Sequence, residues 1–131
     1  MKEVIDVVFS FIATLFIYIL GGFDVALISL LTVIVIDYIT GILKASKKRN
    51  LSSKIGYEGI KKKIGILCLV ALSVVVDRIT GESGVIRTVI IYYFVANEGL
   101  SIIENLAEIG VYIPDVLKSR LEQIKNSEGE K

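Results

Sequence analysis

Four long apolar stretches, separated by short polar segments, dominate the hydrophobic pattern of this 131-residue chain. They cover residues 4–20, 25–43, 64–80 and 85–107. A helix of about 20 apolar residues crosses a hydrocarbon core of roughly 30 Å. The pattern therefore predicts an all-α integral membrane protein with four transmembrane helices. Three spans are the alternative, because the uncharged part of the third stretch, 64–76, is short.

The segments between these stretches differ sharply in charge. The two short turns at 21–24 and 81–84 contain glycine but neither lysine nor arginine, whereas 44–63 is strongly basic and holds one acid, Glu58. Because lysine and arginine stay preferentially on the cytoplasmic side, we expect 44–63 to be a cytoplasmic loop that determines the topology, with both termini inside. The basic residues of this predicted loop are Lys44, Lys47, Lys48, Arg49, Lys54, Lys61, Lys62 and Lys63.

The chain changes character after residue 113, which we take as the end of a transmembrane domain, 1–113. Pro114 suits the first turn of a helix, and apolar residues recur at helical spacing over about 114–126. The pattern predicts a short amphipathic helix that is cytoplasmic, or bound to the membrane surface. The charged tail at 126–131 is expected to be disordered.

Composition supports a membrane protein and excludes several kinds of chemistry. Hydrophobic residues make up 53% of the chain, the mean hydropathy is +0.70, and the net charge is only +1. There is no histidine, and Cys68 is the only cysteine, so a His/Cys metal site or a Ser/His/Asp or Cys/His catalytic group is not expected. We expect a non-enzymatic protein without a cofactor or a nucleic-acid partner. Its expected partners are the lipid bilayer and further copies of itself.

Two carboxylates, Asp37 and Glu98, fall inside predicted spans. A charge at the centre of a bilayer costs a few kcal/mol, so such residues normally face protein or water. For Asp37 the simpler interpretation is a carboxylate near the cytoplasmic interface, paired with Lys44 or Lys47. The alternative interpretation is a functional intramembrane acid.

A polar stripe follows one face of the fourth predicted span. Its members are spaced by 4, 4, 3 and 4 residues, which places them on one side of a helix. The stripe consists of Tyr93, Asn97, Ser101, Glu104 and Glu108. The simpler interpretation is a helix that packs against another, with Asn97 making an interhelical hydrogen bond, or that lies at the membrane interface. The alternative is a helix that lines water, or forms the oligomer interface, once several copies assemble. We favour the second interpretation.

A weak internal repeat links 35–41 with 75–81, which share five of seven residues. The simpler interpretation is a chance similarity between the ends of two apolar helices. The alternative is a hairpin duplicated in inverted orientation, as in some transporters.

Five short motifs, taken in order, resemble the phage lysis and toxin-secretion holin family related to clostridial phage holins. They are Asp-Tyr-Ile-Thr-Gly at 37–41, Leu-Ser-Ser-Lys-Ile-Gly at 51–56, Gly-Ile-Lys-Lys-Lys at 59–63, Asn-Glu-Gly-Leu-Ser-Ile-Ile-Glu-Asn at 97–105 and Gly-Val-Tyr-Ile-Pro at 110–114. Tyr112 stands where this family commonly has proline, and only the start of the last helix should be affected.

The resemblance implies a small protein that accumulates in the bacterial cytoplasmic membrane, oligomerises and opens lesions. The lesions would release a phage endolysin or a toxin that lacks a signal peptide. We expect residues 85–107 to line them. The alternatives are a small homo-oligomeric ion channel or ion-coupled transporter that uses Asp37 or Glu98, and a membrane scaffold without permeation.

Overall fold

Five α-helices form the secondary structure of the computed structural model, which describes residues 1–129, and no strand occurs in this range. The helices are α1 (Lys2–Ile19), α2 (Val25–Lys47), α3 (Ser53–Thr80), α4 (Val85–Glu108) and α5 (Asp115–Gly129). The predicted all-α class is confirmed.

Two of the described helices, α2 and α4, are long and apolar enough to cross a membrane, whereas the sequence predicted four spans. Charge explains the difference. Helix α1 begins with Lys2 and Glu3 and carries Asp6 one turn later, and the uncharged part of α3 is limited by Lys63 and Asp77.

The predicted loop at 44–63 is wrong over most of its length. Helix α2 continues to Lys47, and α3 begins at Ser53, so that a short connection remains. Helix propensity explains this, because lysines are good helix formers and the Ser52 hydroxyl accepts a hydrogen bond from the Ile55 N–H (3.3 Å) at the start of α3. Since 28 residues give α3 a length of roughly 42 Å, this helix exceeds the thickness of a hydrocarbon core.

Helix α4 is the centre of the bundle, because it packs against α2, α3 and α5, while α2 and α3 contact each other little. The core beneath these contacts is aliphatic. Leu30, Val70 and Ile91, from three different helices, are completely buried.

Contacts at the two ends of the bundle fix the helix directions. The Arg87 guanidinium pairs with Asp24 at one end, and the Lys47 ammonium donates to the Glu108 carbonyl (2.8 Å) at the other, so α2 and α4 run in parallel. Helix α3 runs the opposite way. We call the end with the turns at 20–24 and 81–84 the glycine end, and the end with the connection at 48–52 the basic end.

Helix α1 stands apart from this bundle. None of its residues is buried, and large apolar side chains such as Val7, Phe9 and Phe11 are about two-thirds exposed or more. Its last turn is nevertheless held, because the Arg78 side chain donates to the Tyr18 carbonyl (2.8 Å). The apolar surface of α1 is therefore free to face lipid or another chain.

Helix α5 differs from its prediction in length and position. It covers Asp115–Gly129 rather than 114–126, so residues 126–129, predicted to be disordered, continue the helix, and residues 130–131 lie outside the described range. It folds back along α4 instead of standing free. An additional Cβ at Gly99 would lie 3.0 Å from a methyl carbon of Leu121, which shows how closely α5 approaches α4.

Candidate functional site

A buried ionic cluster joins α2, α3 and α4 near the basic end. The Lys63 ammonium hydrogen bonds to both the Asp37 and the Glu98 carboxylates. Glu98 is 2% exposed and Asp37 is 8% exposed. Asp37 was predicted to pair with Lys44 or Lys47, and this is wrong: its partner is Lys63, because α3 extends to residue 53 and brings that ammonium inward.

Two further side chains complete this cluster. The Asn105 amide donates to the Asp37 carboxylate (3.1 Å) and to the Thr40 hydroxyl (3.0 Å), and that hydroxyl donates to the Ile36 carbonyl (2.9 Å). Every buried side-chain nitrogen and oxygen in the described part of the chain has a partner. We call Asp37, Thr40, Lys63, Glu98 and Asn105 the lysine cluster.

A second polar cluster closes the glycine end. The Arg87 guanidinium binds both Asp24 carboxylate oxygens (2.8 and 3.0 Å), and it also donates to the Leu20 (2.7 Å) and Gly22 (3.0 Å) carbonyls. The Asp77 carboxylate of α3 accepts from the Ile86 (3.0 Å) and Arg87 (2.9 Å) backbone N–H groups, which caps the start of α4.

Arg78 lies at the same end of the bundle, where its guanidinium stacks 4.0 Å from the centre of the Tyr18 ring. We call Asp24, Asp77, Arg78 and Arg87 the arginine cluster. Hydrogen bonds from Arg87 lower the pKa of Asp24 from its ordinary value of 3.8 to about 2. Arg87 is 7% exposed, whereas the carboxylate of its partner Asp24 remains half exposed to solvent.

The predicted polar stripe of α4 is partly brought together. Asn97, Ser101 and Glu104 line one cavity of about 630 Å³ between α4 and α5, with Lys62 of α3 at its edge. The other two members lie elsewhere. The Tyr93 ring packs edge-on against Phe94, and Glu108 pairs with Lys48 (3.0 Å) at the surface.

The eight predicted topology-setting cations separate into two groups. Lys63 is internal, while the others lie around the basic end, where Lys44, Lys48 and Lys62 line a second cavity of about 470 Å³. Tyr38 projects from α2 toward this cavity and packs against Gly59, where an added Cβ would lie 3.3 Å from its ring.

Sequence reasoning missed the roles of Asn105, Arg87 and Asp77. A signal was present for the first of these, because Glu98 and Asn105 are seven residues apart and therefore share a helix face. Asp37 and Asp77, which correspond in the internal repeat, bind α4 at opposite ends of the bundle. Whether the repeat records a duplication stays a prediction.

Neither cluster has the features of a catalytic or metal site. Each carboxylate in them is bound by an arginine, a lysine, an amide or a backbone N–H group. Within residues 1–129 no group of three carboxylate or thiol side chains converges in a way that would hold a metal ion. The arrangement joins helices through ionic contacts, and it leaves one polar face of α4 beside a cavity.

These features define a small all-helical protein with ionic side chains inside an otherwise aliphatic bundle. Residues 14–126 match the bacteriophage holin family, and the chain belongs to this family. Family membership and the two long apolar helices indicate a membrane protein with a holin-like, non-enzymatic role.

Individual proteins are also similar to this chain, and one of them is called a probable holin. An uncharacterized 14.9 kDa protein from the nagH 3′ region of Clostridium perfringens is 44% identical over 88% of both chains. An uncharacterized protein of Listeria monocytogenes is 42% identical over 78% of this chain and 73% of its own. A probable holin of Bacillus phage phi105 is 39% identical over 74% of this chain and 72% of its own. No solved structure matches.

Proposed function

We propose that this chain is a holin that crosses the bacterial cytoplasmic membrane four times, self-associates, and opens lesions large enough for proteins. The proposed cargo is a phage endolysin or a toxin without a signal peptide. Membership of the holin family supports the role. The proposed lesion-forming unit is the transmembrane domain 1–113.

The polar face of α4 is the observation that carries this proposal. This helix is apolar enough to cross a membrane, yet Asn97, Ser101 and Glu104 line a cavity along its length. Polar groups at membrane depth must face protein or water. A helix of this kind is tolerated while its polar face is covered, and it can line water after copies rearrange.

The proposed topology places the basic end and the N-terminus in the cytoplasm; a cytoplasmic C-terminus requires α5, which folds back along α4 toward the glycine end, to leave α4. The half-buried Lys44 and the exposed Lys48 and Lys62 collect at one end, and the glycine turns contain neither lysine nor arginine. Helix α1, whose apolar side chains are exposed on all sides, fits a lipid-facing span. In α3, the same role requires that Lys63 remain paired inside the bundle.

A small ion channel or ion-coupled transporter is the second candidate, because Asp37 and Glu98 converge on one ammonium inside the bundle. Buried carboxylates of this kind serve ion coupling in transporters. Such a protein would be selective and tolerated by the cell, whereas a holin is unselective and lethal.

Substitutions in the polar face test the proposal. We expect Asn97→Leu and Glu104→Leu to delay or abolish lysis after induced expression with an endolysin, while both variants still insert into the membrane. Thr88→Leu is the matched control, since its exposed hydroxyl lies on α4 but bonds only within the helix, to the Gly84 carbonyl (2.7 Å). Normal lysis timing in both stripe variants would argue against α4 as the lesion-lining helix.

A further inference from the structure

Helix α5 packs on one face of α4, formed by Tyr92, Val95 and Gly99, which we call the seat. The Leu121 side chain lies against Gly99, where no side chain intervenes. One turn further along α5, Ile124 borders a small cavity with Tyr92 and Val95 of α4 and with Val25 at the start of α2. Because Tyr92, Val95 and Gly99 follow steps of three and four residues, they share one face of α4. Helix α5 therefore reaches from the basic end almost to the glycine end.

The composition of α5 conflicts with this depth if α4 crosses a bilayer, as the proposed function requires. Arg120 and Gln123 lie on the outer side of α5, alongside the middle of α4, whereas Lys118 and Glu122 line the cavity that α5 shares with Asn97 and Glu104. Uncompensated charges at such a depth are costly in lipid. A polar amphipathic helix is more stable at the membrane surface, with its charges in water.

We propose that α5 is a removable cover, and that the seat it leaves on α4 binds a second copy of this chain. Small residues at the contact allow close approach of membrane helices, and Gly99 supplies such a notch. Asn97 and Ser101, beside the seat, provide hydrogen-bonding groups for a second copy. Both occupants need the same notch, so α5 and the second copy exclude each other.

This competition makes the α5 contact autoinhibitory. Only chains from which α5 has left can associate, so, as long as α5 covers the seat in most chains, a change that weakens the α5 contact raises self-association in proportion. A change that fills the notch affects both occupants. The two kinds of substitution therefore have opposite effects on dimerisation.

Cysteine cross-linking in membranes tests the cover. The background is Cys68→Ser with Leu100→Cys, which places one thiol beside the seat. Into it are introduced Leu121→Asp and the milder Leu121→Ala, which weaken the α5 contact, and Gly99→Leu, which fills the notch. Val116→Asp is the matched control, because this side chain is on the same helix but is 73% exposed. Disulfide dimers formed with copper phenanthroline and the time of depolarisation are measured for each chain.

We expect Leu121→Asp to raise the dimer fraction several-fold over Val116→Asp and to shorten the delay before depolarisation, with Leu121→Ala intermediate. Gly99→Leu should give few dimers. Equal dimer fractions in the Leu121 variants and the Val116 control would overturn the cover. If the dimer fractions change as expected but no chain depolarises the membrane, the cover stands and the proposed holin function fails.

Discussion

The lysine cluster and the arginine cluster both join three segments of the chain, but they do so with different atoms. In the lysine cluster, side chains bind side chains: one ammonium is shared by two carboxylates from different helices. In the arginine cluster, Arg87 and Asp77 bind mainly backbone groups of turns and helix starts. The lysine cluster joins the helices to one another, whereas the arginine cluster fixes the path of the chain in the turns between helices.

This difference has a consequence for rearrangement. The backbone groups bound by Arg87 and Asp77 belong to the turns themselves and need a hydrogen-bond partner in any helix arrangement. We therefore expect the contacts at the glycine end to persist when the helices move. In the lysine cluster, by contrast, the ion pairs of Lys63 with Asp37 and Glu98 can be replaced by contacts with water or with polar groups of a second copy. We therefore expect helix rearrangement to begin at the lysine cluster.

Loss of the shared ammonium should have the largest effect. Lys63→Met leaves Asp37 and Glu98 buried beside each other without compensation, and we expect a loss of about 3–5 kcal/mol in stability. Thermal unfolding in detergent micelles measures it. Lys62→Met is the control, because that side chain is exposed. Adding Glu98→Gln to Lys63→Met should recover part of the loss, and no recovery would show that the charges are not the cause.

A methyl group at Gly21 should have the next largest effect. This residue has a φ of +89°, and a Cβ would lie 2.5 Å from the Arg87 Nε and 2.9 Å from a Val74 methyl carbon. Gly21→Ala should therefore cost more than the roughly 1–2 kcal/mol of a left-handed conformation alone. Gly22→Ala is the matched control, since it also has positive φ (+118°) but open space around it. Equal melting temperatures for the two variants would contradict the close packing of Arg87 on this turn.

Removal of Arg78 should cost less. Its guanidinium is exposed, and it contributes one hydrogen bond to the end of α1 and a contact with the Tyr18 ring. We expect Arg78→Met to lower stability by about 1 kcal/mol. Limited proteolysis should cut at residues 18–24 faster in this variant. An unchanged cleavage rate would show that Arg78 does not hold α1.

The pH dependence at the glycine end should be the smallest effect, because the Asp24 side chain is half exposed and solvent weakens its interaction with Arg87. Because Arg87 lowers the pKa of Asp24 to about 2, the unfolded chain binds the proton more tightly than the folded one. The contribution of Asp24 is complete above the ordinary pKa of 3.8 and is lost as the pH falls toward 2. Melting temperatures of the parent and of Asp24→Asn, compared from pH 5 down to pH 2, measure this pH-dependent contribution of Asp24 to stability. A parallel fall in both chains would contradict it.

The sequence predicted the helices where apolar periodicity was long, and it failed where charge seemed to mark a loop. Residues 53–63 are helical because lysine favours helices and because Lys63 gains two carboxylate partners that are distant in sequence. Similarly, the stripe on α4 was visible from spacing, but Glu98 and Asn105 lie on a different face, toward α2 and α3. Their partners depend on which helices become neighbours, and periodicity carries no information on that choice.

The position of α5 was not predictable for the same reason. Its apolar residues indicated an amphipathic helix, and Val116 and Leu117 on that apolar face remain half exposed or more. Leu121 packs closely against a glycine 22 residues earlier in the chain. A single small residue inside α4 gives little signal in a sequence, although it determines where α5 packs.

The most direct test of the central claim is induced expression of the unmodified chain in a bacterial host without an endolysin. Membrane potential and the release of a cytosolic reporter protein are followed together over time. The account predicts a delay, then sudden loss of potential with release of the protein. Continued growth, or slow loss of one ion without release of protein, would contradict a holin and favour a selective channel or transporter.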